Sequence, residues 1–220
     1  LNGQRISSFR EMRDIPTEAI LRVEILPEEV ALKYGYRADQ RVVNIVLRQR
    51  FRSTTALASA NVATDGGYLG GTGDVTRLLI QRNGRTTLNA HAEGNGMLTE
   101  AERNIRLSPD APADDREFRS LIGTKRDIRG TATFNRTILG NVSATANAEL
   151  EHSTGRSLIG LDETLLDPIT RNSKTDSAHA GTALNWEKAK WHFNVTGNLD
   201  YDRSLTLTDS QDTAFSRNRA

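Results

Sequence analysis

The sequence contains no cysteine. That excludes disulfides, thiolate metal sites and a cysteine nucleophile, and leaves every redox compartment open. It also lacks an apolar run of the roughly eighteen residues that a membrane-crossing helix requires. No excess of either charge exists, because 29 Lys and Arg stand against 28 Asp and Glu. The basic footprint of a nucleic-acid binder and the block of an acidic tail are therefore both missing, and no nucleic-acid partner is expected. The mean hydropathy of -0.54 looks water-soluble. A transmembrane β-barrel averages to similar polarity, since its strands alternate lipid-facing and water-facing residues.

What is present begins with residues 15–48. Two apolar runs, Ile20–Leu26 and Val42–Leu47, flank a short helical stretch. Pro27 suits a first helical position, where its missing N–H has no partner to lose. Glu28 and Glu29 complement the positive end of that helix, Lys33 the negative end, and Gly35 offers a left-handed stop. Strand, helix and strand within about thirty residues make a compact α/β unit.

Past Arg50 the texture changes, and Thr, Asn, Ala and Gly alternate with apolar residues. The pattern predicts seven strands, over 52–63, 72–81, 85–93, 117–136, 141–152, 174–186 and 190–208. Asn83-Gly84 signals a two-residue hairpin, and Ile138–Gly140 and Glu187–Ala189 read as further tight turns. Longer polar connections are expected over 64–71, 94–116 and 153–173. Short turns alternating with long loops are the pattern of outer-membrane barrels.

The last strand states the alternation most cleanly. Trp191, Phe193, Val195, Gly197, Leu199 and Tyr201 share one face, opposite His192, Asn194, Thr196, Asn198 and Asp200. From Trp191 to Tyr201 a strand rises roughly 33 Å, or about 25 Å along a membrane normal at a tilt near 40°. Val142, Ala144, Ala146, Ala148 and Leu150 oppose polar residues in the same way, as do Ala178, Ala180, Thr182, Leu184 and Trp186. Trp186, Trp191, Tyr201 and Phe134 are candidate interface aromatics. Arg126 breaks the apolar face of Ile122, Ile128 and Phe134, which suits a position above the hydrocarbon. A soluble β-sandwich shows the same alternation, although outward alanines would give it a thin core.

The front of the chain is similar to a known family. Ile15-Pro16-Thr17-Glu18-Ala19-Ile20, Arg22-Val23-Glu24, Tyr34-Gly35 and Val42-Val43-Asn44-Ile45 resemble the later half of the plug domain of TonB-dependent outer-membrane receptors. Leu1-Asn2-Gly3-Gln4-Arg5-Ile6 resembles that family's earlier hairpin. The family's glycine pair before Val-Val-Asn-Ile is replaced by Asp39-Gln40-Arg41. The resemblance covers about the first fifty residues. It implies a plug portion over 1–50 followed by antiparallel barrel strands over 51–220, seven of the roughly 22 in a plugged transporter. Leu1, with no start methionine or signal peptide before it, is then expected to be internal to a longer receptor.

The resemblance further implies import of a scarce ligand of the siderophore, cobalamin, haem or glycan class across a Gram-negative outer membrane. The implied partners are the TonB energy-coupling complex, outer-membrane lipid and a small-molecule or metal-chelate ligand. No enzyme activity or cofactor is implied. Glu18, Arg22 and Glu24 become candidates for plug–barrel ion pairs, with Tyr34, Gly35 and Asn44 as plug-motif residues. His192, Asn194, Asn198 and Asp200 become candidate lumen-facing residues. A receptor-like barrel that signals or assembles without transporting is the alternative, as is a soluble β-rich binding module.

Other motifs are weaker. His91, His152, His179 and His192 fall on separate strands without metal-ligand spacing, so no metal site is expected. Gly70-Gly71-Thr72-Gly73-Asp74 lacks the Gly-Lys-Ser/Thr ending of a phosphate loop and reads as an outer loop. Asp162, Glu163 and Asp167 form an acidic loop that could collect a divalent cation, but a solvated loop is the expected reading, because a hard cation needs six or more converging oxygens. Asn141-Val142-Ser143 and Asn194-Val195-Thr196 match the glycosylation pattern but lie in expected strands.

Overall fold

The structure is a computed structural model. It describes the chain except residues 4, 5, 7–11, 13, 14, 34, 35, 38, 40, 108–112, 163–166, 189, 190, 210–214, 219 and 220. Tyr34 and Gly35 therefore lie outside the described residues, as do Gln40 and Glu163.

The front unit forms as its pattern predicts. Strand β1 (Ile20–Leu26), helix α1 (Glu28–Lys33) and strand β2 (Val42–Leu47) follow one another. β1 and β2 pair antiparallel, with Val23 opposite Ile45 and Leu26 opposite Val42. Pro27 stands just before the helix rather than in it, and its carbonyl accepts the Ala31 N–H at 2.9 Å. The unit is tied to the chain start by two asparagines. Asn2 Oδ1 accepts the Leu47 N–H at 2.7 Å, and Asn44 Oδ1 accepts the Gly3 N–H at 2.8 Å.

The large sheet begins at Phe51. Its long strands are β3 (Phe51–Val62), β4 (Leu69–Gln81), β5 (Gly84–Asn95), β8 (Thr124–Leu139), β9 (Val142–Leu161), β10 (Pro168–Lys188) and β11 (Trp191–Asp209). A short β12 (Phe215–Asn218) adds an eighth, and the spatial order is β12-β11-β10-β9-β8-β5-β4-β3. A small hairpin of β6 (Leu98–Thr99) and β7 (Ser120–Ile122) sits in the longest connection. All pairings in the large sheet are antiparallel, and β3 pairs only with β4, so the sheet is open at that edge.

All seven expected strands occur, with corrections at their ends. Residues 153–173 are mostly strand, because β9 and β10 stay paired from Ser153 opposite Thr175 out to Leu161 opposite Pro168. Both faces carry polar residues there, so alternation vanishes while the backbone ladder continues. The glycine run is strand as well, since β4 starts at Leu69. The fourth strand starts at Thr124, and Ile122 belongs to β7.

At the first hairpin Gln81 pairs Gly84 across Arg82-Asn83, so Gly84 is a strand residue, not a turn residue. Glycine is needed there because a Cβ would lie 2.4 Å from the Asn135 carbonyl oxygen of β8. The β8–β9 connection is Gly140-Asn141, with Leu139 opposite Val142. These short turns lie side by side: Thr137 N–H donates to Asn83 O, and Glu187 N–H donates to Asn141 O, both at 2.9 Å.

Register assigns each side chain to a face. One face carries the successive rows Thr86–Phe134–Ala146–Thr182–Gly197, Leu88–Ala132–Ala148–Ala180–Leu199 and Ala90–Gly130–Leu150–Ala178–Tyr201. Beyond Tyr201 the next row is Ala92–Ile128–His152–Asp176–Arg203, so the apolar band stops there. Arg126 sits one row further out, with Thr154 and Lys174. Phe134 lies four residues along the ladder from the Trp186–Val142 pair, so it is not in the tryptophan row.

The apolar face is the bare one. Val195 is 66% exposed, Leu199 72% and Trp191 69%. Across β5, β8, β9 and β10 the opposite face is enclosed although it is polar, with Arg85, Thr87, Asp127, Thr133, Ser143, Thr145, Asn147, Glu149 and His179 all buried, whereas β11 is exposed on both faces. Leu78 and Ile80 of β4 lie on that enclosed face and pack with Ala19 and Leu47 of the front unit. The front unit therefore covers the polar face near the tight-turn end.

Candidate functional site

The enclosed face holds most of the polar chemistry. Two neighbouring rows read Asn89–Thr131–Glu149–His179–Asp200 and His91–Arg129–Glu151–Ser177–Asp202. Such a surface presents donors, acceptors and both charges to whatever lies against it. Between it and the front unit is an open cleft of about 490 Å³. Leu26, Val42 and Asn44 form one side of the cleft, and Asn185, His192 and Asn194 the other.

Asn44 holds the front unit's side of the cleft in place. Its Nδ2 donates to Glu24 Oε2 at 2.9 Å while its Oδ1 takes the Gly3 N–H. Glu24 also accepts from Arg22 Nε at 2.5 Å. The Arg22 hydrogen bond first, and the Asn44 amide second, hold the Glu24 carboxyl below the usual carboxylate range. In this structure Arg22 and Glu24 pair with each other. Arg22 and Glu24 are two residues apart on one strand, so their side chains share a face and find each other first. Glu18 contributes its backbone, since its carbonyl accepts Arg48 Nε at 2.8 Å.

The four candidate lumen residues of β11 all belong to the polar face. Asn194 Nδ2 donates to Asn185 Oδ1 at 2.8 Å, and Asn198 stands opposite Gly181. A Cβ on Gly181 would meet the Asn147 and Asn198 amides at 2.7–2.9 Å, so glycine makes room for them. Asp200 accepts from His179 Nδ1 at 2.6 Å, and His192 Nδ1 is 3.6 Å from Glu187 Oε1.

The histidines reveal what sequence reading missed. His91 faces Asp74 at 2.8 Å and His152 faces Asp176 at 2.6 Å, so each of the four imidazoles has a carboxylate beside it. All four pairs are direct cross-strand neighbours, His91 with Asp74, His152 with Asp176, His179 with Asp200 and His192 with Glu187, and the first three are hydrogen-bonded. Because a carboxylate only accepts, Nδ1 carries the proton in those three, and Nε2 of the neutral ring is left with a lone pair. The partners are far apart in sequence, and only the register could have joined them.

The aromatics cluster at the tight-turn end on the bare face. Trp186 stacks on Phe193 with ring centroids 5.2 Å apart, Trp191 lies 6.1 Å from Phe193, and Lys188 Nζ is 5.8 Å from the Trp186 ring. Phe134 and Tyr201 are exposed further along the same face. The acidic loop closes through its backbone, with Asp162 N–H donating to Asp167 O at 2.8 Å.

Comparison with protein families, with characterised proteins and with solved structures finds no match to this chain.

Proposed function

We propose that the large sheet is part of the wall of an outer-membrane β-barrel, and that the front α/β unit is part of the plug of a TonB-dependent importer. One observation carries this reading: the sheet is inverted relative to a water-soluble protein. In its middle strands, from β5 to β10, the apolar face is bare and the polar face is enclosed. Isolated exposed apolar residues are ordinary, but a contiguous band of them marks a contact surface. Hydrocarbon is the partner that fits a band of strand length with stacked tryptophans at one border.

Two further features support the reading. Short turns gather at one end, and longer connections join the strands at the other. The front unit lies on the polar side, where a plug would stand. In hydrocarbon each unpaired N–H or C=O at the β3 edge would cost several kcal/mol, so the wall must be completed by further strands. A ligand passing through such a protein would use the polar rows, and the cleft at Asn44 and His192 marks where plug movement would open a path. The ligand is a small molecule or metal chelate, with the TonB complex supplying energy.

The cysteine-free chain allows a clean test. Single cysteines at Val195 and Thr196, made in the complete protein in outer membranes, are challenged with a water-soluble maleimide. Cys at 195 should resist labelling and Cys at 196 should react, and the opposite pattern would refute membrane embedding. Energy-dependent uptake of candidate chelates by cells with and without the gene then tests import.

A further inference from the structure

Glu93 of β5 and Asp127 of β8 are direct partners across the ladder on the polar face, and His91 is the neighbouring inner residue of β5. One ligand atom from each of the three lies within 4.8 Å of the others. We propose that His91, Glu93 and Asp127 form a binding site for a divalent first-row transition ion, with Zn2+ the best match.

The chemistry of each donor supports this. Asp74 accepts the Nδ1–H of His91 at 2.8 Å, which leaves Nε2 as the free donor nitrogen and fixes the ring, the arrangement found behind metal-bound imidazoles. Asp127 is only 5% exposed. Burying a carboxylate is costly unless a counter-charge stands beside it, and a bound cation would relieve that cost.

Donor type selects the ion. One imidazole nitrogen and two carboxylate oxygens suit Zn2+, with water completing the tetrahedron. Calcium would need six or more oxygens. A tetrahedral ion with bonds of about 2.0–2.2 Å holds its donors roughly 3.3–3.5 Å apart, so the three side chains must close by little more than ~1 Å. Glu93 is partly exposed and able to turn. The opposing group is Lys125, whose Nζ donates to Glu93 Oε2 at 3.0 Å. Zinc and Lys125 therefore compete for the same carboxylate.

The site depends on the β4–β5–β8 register alone and stands apart from the import reading. It is tested by titrating the purified full chain with Zn2+ and counting bound metal after dialysis. One equivalent is expected. His91→Gln and Asp127→Asn should each weaken binding by tenfold or more, and Asp74→Asn by about 10–100-fold. His152→Gln, remote on the other face, should leave it unchanged. Lys125→Met should tighten binding several-fold, a gain that misfolding cannot imitate. Absence of binding at millimolar zinc would overturn the site, as would unaltered affinity in the His91 and Asp127 variants or unaltered affinity in Lys125→Met.

Discussion

Leu78 of β4 and Ala19, the residue before β1, are both completely buried and belong to one cluster with Leu47 and Ile80. Their contact joins the front unit to the polar side of the large sheet. Few apolar side chains lie on that side, so this small cluster has a large share in holding the two together.

Leu78→Ala removes the one large side chain that is fully enclosed among the described residues. The cavity should cost ~2–5 kcal/mol, concentrated at the contact between unit and sheet. Protease should then cut residues 27–50 faster, while the sheet keeps its circular-dichroism signal. An unchanged cleavage rate would show that the contact does not hold the unit.

The bare face and the covered face should respond oppositely to charge. Leu199→Arg places a cation in the middle of the apolar band and should destabilise the membrane-inserted protein by ~2–4 kcal/mol. Asn198→Arg, one residue away on the polar face, should cost far less. Urea unfolding from lipid vesicles measures both, and equal penalties would contradict the assignment of faces.

Gly84→Ala drives a methyl group into the Asn135 carbonyl oxygen, and that atom is backbone that cannot swing aside. The β5–β8 ladder must shift at its turn end, for about 1–3 kcal/mol of strain. A lower melting temperature with unchanged strand content is expected. Gly140→Ala, where no atom lies within 4 Å of the added Cβ, is the control.

Two carboxylates outside the large sheet set an acid-side dependence. The Arg116 hydrogen bonds, side chain first and backbone second, lower the Asp114 carboxyl to about 2, and Arg22 and then Asn44 lower Glu24. Both folded values lie below the unfolded ones. Each group's stabilising contribution is therefore complete above its unfolded pKa, near 3.8 for Asp114 and 4.5 for Glu24, and is lost as pH falls through the folded value. Carboxyl-carbon NMR should show Asp114 titrating near 2 and Glu24 moving toward its ordinary value in Asn44→Ala. An unmoved Glu24 in that variant would remove Asn44 as a cause.

Strands were legible where one face was apolar and the other polar, as from Trp191 to Tyr201. They were illegible over 153–173, where both faces are polar and the ladder is held by backbone bonds that carry no side-chain signature. Gly84 shows another limit. An Asn-Gly pair announces a turn, but the glycine answers a third strand's carbonyl, which no local pattern records. Arg22 and Glu24 stand two residues apart on one strand, so their pairing follows from the two-residue period.

The alternation of side chains along each strand has a period of two residues and is therefore local. By itself it determined the number of long strands, their apolar faces and the short turns between them. Which strands lie side by side, and in what register, depends on hydrogen bonds between segments far apart in the chain. Tertiary structure alone decided that His91 meets Asp74, that Glu93 meets Asp127, and that the front unit covers the polar face while the apolar face stays bare.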